Sequence, residues 1–167
     1  GERDGGTGFG IASLAGWPIG CRGTLLFVLF LDRYHFGFAI RVDIVERTDR
    51  RAYVTVSNED WIPVTRHMHE EAGGRLATAT GSDRSTGVEL LYHFCIDRDG
   101  TVVNIRTTLA KPFPKIESLT KYYPAADFIE REIFDFLGVE FTGHPDPRKI
   151  LSSHDRPADF HAMRRDE

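Results

Sequence analysis

The sequence predicts an α+β fold: a single domain in which a mixed or antiparallel sheet packs with two main helices, followed by an irregular C-terminal tail. Three observations carry this. Runs of β-branched and aromatic residues recur along the chain, two stretches repeat their apolar residues at helical spacing, and Asp97-Arg98-Asp99-Gly100 joins two strand-like runs as a hairpin turn. Strands interleaved with two helices make a layered α+β domain rather than a nucleotide-binding wound sheet.

The elements follow in order. Residues 1–20 contain seven glycines, a composition that resists packing because glycine loses the most backbone entropy on folding, so a loose N-terminus is expected there. Residues 21–151 are expected to form the domain and residues 152–167 an extended tail. The longest apolar run, Leu25–Leu31, is far short of the roughly 20 residues needed to cross a bilayer, so it reads as a buried strand or helix. Phe36–Val45 and Ala52–Val56 read as strands joined by a charged turn around residues 48–51. Ser57, followed three residues later by Asp60, marks a helix start, and Trp61, Val64, Met68 and Ala72 then recur at helical spacing up to Gly73-Gly74. Arg75–Thr80, Val88–Ile96 and Thr101–Thr108 are strand-like, with His93 read as a hydrogen-bonded sheet or core residue. A second helix runs from about Ala125 to Leu137 and stops at Gly138.

Composition narrows the function. With 167 residues, 41% of them apolar and 28% charged, the chain is the size of one ordinary domain. A net charge of −4 leaves no large positive field, so nucleic acid is not an expected partner. The two cysteines, Cys21 and Cys95, are too few to hold a typical iron–sulfur cluster, and Cys95 lies in an apolar run where a reduced, buried thiol is expected. There is no glycine-rich phosphate loop followed by lysine and no nucleophile motif of the Gly-x-Ser-x-Gly kind. No catalytic residue and no cofactor are therefore expected on this chain.

The informative stretch is Tyr123–Leu151. Pro124 suits the first helical turn, and Asp127 places negative charge where the helix dipole favours it. Asp127, Arg131 and Asp135 fall at i, i+4 and i+8, an acid–base–acid ladder on one face, while Ile129, Ile133, Phe136 and Leu137 form the stripe expected to face the core. Helix physics does not explain why Glu130-Arg131-Glu132 precedes Gly143-His144-Pro145-Asp146 and then Arg148-Lys149-Ile150-Leu151. That order resembles, nearly position for position, the signature of the thirty-kilodalton (C-type) subunit family of NADH-quinone oxidoreductase, the respiratory complex I. The likeness runs from about Tyr53 to the end. It departs in the tail, where Arg156 and Ala162 replace a tryptophan and a proline usual in the family.

The resemblance implies a non-catalytic accessory subunit of the peripheral arm, on the cytoplasmic side of the cell membrane, bracing the quinone-site (forty-nine-kilodalton-like) subunit. Glu130, Arg131, Glu132, Asp135, His144, Asp146 and Arg148 become candidate partner-binding residues, arginine suiting the role through its planar fork of donors. The equivalent subunit of a membrane-bound nickel–iron hydrogenase is the alternative. A further alternative, from the residues themselves, is a metal-dependent enzyme using His144, His154 and His161, although their spacing matches no recognised metal motif.

Overall fold

The computed structural model describes residues 43–48, 50–98, 100–153, 155–157 and 159–165. The N-terminal glycine-rich segment, Cys21, the Leu25–Leu31 run, the first part of the Phe36–Val45 strand and His154 lie outside the described residues.

Five strands form the main sheet: β1 (Asp43–Thr48), β2 (Arg51–Thr55), β3 (Arg75–Arg84), β4 (Gly87–Ile96) and β5 (Thr101–Leu109), in the spatial order β1-β2-β5-β4-β3. Helix α1 (Trp61–Glu70) lies between β2 and β3 in the chain, and α2 (Ala126–Leu137) follows a short strand β6 (Lys115–Glu117). The expected hairpin is the β4–β5 pair, antiparallel from Ile96 opposite Thr101 to Val88 opposite Leu109. All neighbours are antiparallel except β2 and β5, which run parallel because α1 and the β3–β4 hairpin return the chain to the same end. The sheet is therefore mixed, as the sequence predicts. Strand β3 runs four residues beyond the expected end at Thr80, since Gly81 and Ser82 weaken a strand pattern that pairing with Leu90 and Glu89 sustains.

Alternation in β4 builds the core. Val88, Leu90, Tyr92, Phe94 and Ile96 are buried on one face, while Glu89, Leu91, His93 and Cys95 are half-buried on the other. The buried face meets α1, whose Trp61, Val64 and Met68 are buried as their spacing predicts, with Ala72 buried just past the helix end, which comes at Glu70, short of Gly73-Gly74. Trp61 sits edge-on to Tyr92 with ring centroids 4.8 Å apart and donates Nε1–H to the Glu117 carbonyl at 3.1 Å. Burying one such large side chain stabilises the fold by roughly 1.5–3 kcal/mol. On the opposite face His93 is the sheet residue expected: Asn104 donates Nδ2–H to the Ala52 carbonyl at 3.0 Å, leaving its Oδ1 to accept from His93 Nδ1 at 2.5 Å.

Helix α2 packs across β3 at Gly81, where a Cβ would run into the end of the Leu137 side chain and force it to shift. The helix ends at Gly138 in the left-handed conformation (φ +69°), its N–H donated to the Phe134 carbonyl at 2.8 Å. The short strands β6 and β7 (Glu140–Thr142) pair in parallel as a second sheet. Three-residue strands carry too little periodicity to be read from sequence, and neither is expected there.

Candidate functional site

The signature occupies α2, β7 and the turn beyond it. Asp127, Arg131 and Asp135 do not pair with one another along α2. Asp135 is fully buried, and Arg131 points away from both aspartates, donating Nε–H to the Arg148 carbonyl at 3.0 Å with Nη1 3.4 Å from Asp146 Oδ2. The described residues between 143 and 165 lie back along α2 and cover this face. Ile133 and Leu137 of the apolar stripe are buried, and Ile129 and Phe136 pack partly buried against the core.

Two carboxylates of α2 are 0% exposed, Glu130 and Asp135. Glu130 Oε1 accepts the Leu119 N–H at 2.9 Å and the Tyr92 hydroxyl at 3.2 Å, while Oε2 accepts the Ser118 hydroxyl at 2.6 Å. Burial dominates and holds its pKa above the ordinary glutamate value, with the Ser118 and Leu119 hydrogen bonds and the nearby His144 pulling it down. Tyr92 is pushed well up by burial and by the Glu130 charge.

Asp135 is held differently. Its Oδ2 accepts three consecutive backbone N–H groups, from Ile150 (3.2 Å), Leu151 (2.8 Å) and Ser152 (2.7 Å), a nest of amides around one anionic oxygen. Burial works to raise its pKa, but the Ser152 hydroxyl and amide and the amides of Leu151 and Ile150 outweigh it and bring it to about 2. Asp135 thereby ties the Arg-Lys-Ile-Leu stretch to the helix.

His144 is the second tie. Its ring is buried, Nδ1 accepts the Asp146 N–H at 3.0 Å, and Nε2 lies 3.2 Å from the Asp127 carbonyl. An acceptor at Nδ1 places the ring proton on Nε2, which donates to that carbonyl. Asp146 grips Arg148 through two hydrogen bonds of 2.7 Å each, and Arg148's hydrogen bonds hold the Asp146 carboxyl well below the usual carboxylate range. The Arg148 side chain is nonetheless 80% exposed. Glu132 is exposed too.

The tail completes the layer. His161 Nδ1 lies 3.0 Å from the Asp135 carbonyl, the Met163 N–H reaches the Phe136 carbonyl at 3.0 Å, and the Arg165 N–H reaches Asp83 Oδ2 at 2.8 Å. Lys149 Nζ donates to the Phe160 carbonyl at 2.8 Å. A Cβ at Gly138 would meet the His161 ring. Of the metal-ligand candidates, His144 and His161 thus turn ring nitrogens onto backbone groups of this layer, and among the described residues no three His, Cys, Asp or Glu side chains converge to hold a metal ion.

Six of the seven candidate partner residues therefore gather in one layer, with Glu132 on the outer side of the helix. Sequence reading misses Tyr92, Ser118 and Leu119 as partners of Glu130, and Ile150–Ser152 as partners of Asp135. Their separations of 11 to 38 residues leave no local signal.

The family model described as "Respiratory-chain NADH dehydrogenase, 30 Kd subunit" matches residues 54–167. The C-type subunit of the Moorella thermoacetica NADH-quinone oxidoreductase is 31% identical over 129 residues, covering 75% of this chain and 84% of that protein. A Bacteroides fragilis protein, named as the C/D-type subunit of NADH-quinone oxidoreductase, is 38% identical over 81 residues, 48% of this chain and 15% of that one. This chain spans 53%, 32% and 36% of the length of three further C-type relatives. A solved trypsin-resistant fragment of Nqo5 superposes with a TM-score of 0.60 at 24% identity, over 73% of this chain and 98% of that one, and so shares its fold. Among the described residues no helix is long and apolar enough to cross a membrane.

Proposed function

This chain belongs to the family of the 30 Kd subunit of the respiratory-chain NADH dehydrogenase, and from that premise we propose that it is a non-catalytic peripheral-arm subunit bracing the quinone-site subunit of an NADH-quinone oxidoreductase. In this reading it sits at the cytoplasmic side of the cell membrane, and other subunits carry the chemistry between NADH and quinone.

One observation carries the proposal: the outer side of the α2 layer joins exposed aromatic and arginine side chains on a stiff support. Phe128 is 64% exposed, with the Arg131 guanidinium 5.8 Å from its ring centroid. Arg131 bonds the Arg148 carbonyl, Arg148 is presented by a turn containing Pro145 and Pro147, and exposed Leu151 follows three residues on. Glu132 lies one helical turn from Phe128 on the same face. Exposed aromatics with arginine make interface anchors, and a turn already fixed loses little entropy when a partner meets it. The Bacteroides fragilis relative bears a name that joins C to D, which supports a D-type subunit as the neighbour.

The test is recovery of the assembled complex from cells. Phe128→Asp combined with Arg148→Glu is expected to abolish co-purification with the quinone-site subunit while the isolated double variant keeps its unfolding transition. Full recovery with an intact fold would remove this surface from the interface.

A further inference from the structure

Phe113 is 88% exposed, the most of any large apolar side chain among the described residues, yet the backbone that carries it is held on both sides. On one side Lys111 Nζ lies 2.6 Å from Asp83 Oδ1 near the end of β3, and the Pro112 carbonyl accepts Nη2–H of Arg164. On the other the Pro114 carbonyl accepts the Glu140 N–H at 2.9 Å, and Lys115 Nζ lies 2.8 Å from Glu140 Oε1. Pro112 and Pro114 fix φ at the two flanking positions. A side chain so exposed adds little to stability, so the packing of the fold does not account for a phenylalanine at the top of this arch.

The C-terminal tail adds to the same surface. Its Met163 N–H bonds the Phe136 carbonyl and its Arg165 N–H bonds Asp83, which sets Arg164 against the arch. Met163, 61% exposed, is one residue from the Arg164–Pro112 contact on the tail side, as Phe113 is on the arch side. Asp83 meets both Lys111 and Arg164, and Glu140 meets Lys115, which leaves a surplus of positive charge at Arg164 and the exposed Arg165.

We infer that the Lys111–Lys115 arch and the Met163–Arg165 tail form a second protein-docking surface, whose occupant is a neighbouring subunit presenting an apolar pocket for Phe113 edged by carboxylates for the two arginines. The surface supposes that the chain is one subunit of a larger assembly, as proposed above, and adds a contact distinct from the Phe128 face. Phe128 and Phe136 stand eight residues apart on α2, roughly 12 Å along its axis, and Met163 is fixed at the Phe136 end. An aromatic beside arginine on a backbone already fixed loses little entropy on docking and makes an interface anchor. Carboxylates follow from the surplus charge, which a basic patch would repel. The same charge disfavours a second copy of this chain, since a two-fold contact would set these arginines against themselves.

Hydroxyl-radical oxidation, read by mass spectrometry on the isolated full chain and on the complex purified from cells, tests it. Oxidation of Phe113 and Met163 is expected to fall about tenfold or more on assembly, as water leaves the centre of a docked patch. Phe113→Asp is expected to keep the unfolding transition of the isolated chain and to lower its recovery in the complex about tenfold. Arg165→Glu, which reverses the charge but keeps the backbone bond to Asp83, is expected to lower recovery by a smaller factor. Should Phe113→Asp unfold the chain, the wild-type footprint and Arg165→Glu decide. The second surface is refuted if Phe113 and Met163 oxidise as fast in the complex as in the free chain, or if either folded variant is recovered in full. It is equally refuted if their protection appears in the isolated chain as its concentration rises, which would make the occupant a second copy. Phe128 and Leu151, followed in the same samples, report on the other face: their protection with Phe113 and Met163 open would remove the second surface and leave the first, and the reverse pattern would remove the first alone.

Discussion

Glu130 and Asp135 stand five residues apart on one helix, both fully removed from solvent, yet their acidities move in opposite directions. Glu130 is held above the ordinary glutamate value because burial outweighs three donors that are divided between its two oxygens, two of them neutral hydroxyls. Asp135 is brought to about 2 because the Ser152 hydroxyl and three backbone amides, the amides converging on a single oxygen, together outweigh its burial. Burial alone therefore does not decide the ionisation of a core carboxylate; the number and convergence of donors does. The two sites do different structural work. Glu130 pins α2 to β4 and to the residues following β6, whereas Asp135 fastens a segment with no regular structure of its own.

The largest test of that contrast is Asp135→Ala. It strands three amides and lets the 150–152 segment lift from α2, and it is expected to cost roughly 3–5 kcal/mol in urea unfolding of the isolated chain. The same tie predicts an acid dependence. A folded pKa of about 2 against an unfolded value near 3.8 means stabilisation that is present in full above the unfolded value and lost as pH falls through the folded one. The loss is about 2 kcal/mol between about pH 4 and 2, and it is expected to be missing from the alanine variant. Acid unfolding curves that superpose for the two proteins would remove the assigned ionic role of Asp135.

Amide substitutions sharpen the comparison at smaller amplitude. Asp135→Asn keeps one oxygen for the three N–H groups but loses the charge and buries an NH2 where Oδ1 has no hydrogen-bond partner, so roughly 2–3 kcal/mol is expected to go. Glu130→Gln can still accept from Leu119 and Tyr92 and offers its NH2 to the rotatable Ser118 hydroxyl, and it is expected to change stability at pH 7 by less than about 1 kcal/mol. The pH trend has the opposite sign to that of Asp135. A glutamate with raised folded pKa contributes most below its unfolded value and loses that contribution as pH rises through the folded value, so glutamine is expected to gain on wild type from pH 4 to 7. Equal costs for the two amide variants would break the contrast.

The sequence makes the first-order plan legible because its signals are local. The helical spacing that starts at Trp61, the β4–β5 hairpin and the Gly138 stop each arise within a dozen residues and appear where expected, although the first helix ends at Glu70, short of Gly73-Gly74. Helix α2 is legible as a helix, but the role of its polar face is not. Spacing gives Asp127, Arg131 and Asp135 a shared face yet cannot show that the described residues between 143 and 165 return to cover it. The parallel register of β2 against β5 and the β6–β7 pair are decided by contacts tens of residues apart, which no window on the sequence contains. Among the site residues, the order Glu-Arg-Glu to Gly-His-Pro-Asp points to the right segment, while the division into anchors such as Asp135 and exposed groups such as Arg148 is a property of the folded layer.

The smallest expected effects separate the two arginines of that layer. Arg131 is largely covered, and its Nε bonds the Arg148 carbonyl while Nη1 stands near Asp146, so Arg131→Ala removes both a donor to the turn and the packing under it. A loss of roughly 1–2 kcal/mol is expected. Arg148 lies outside this support. Its two hydrogen bonds to Asp146 join residues two apart in an exposed turn that His144 and the two prolines already hold, and an exposed ion pair contributes little because water and salt screen it. Arg148→Ala is therefore expected to shift the midpoint of thermal unfolding by no more than about 2 °C, whereas Arg131→Ala lowers it visibly. Differential scanning calorimetry of both variants beside wild type, at low and high salt, reads the difference. If Arg148→Ala unfolds the free chain as readily as Arg131→Ala does, the Asp146–Arg148 pair is a structural brace of the turn, and Arg148 is not the guanidinium this surface keeps for a partner.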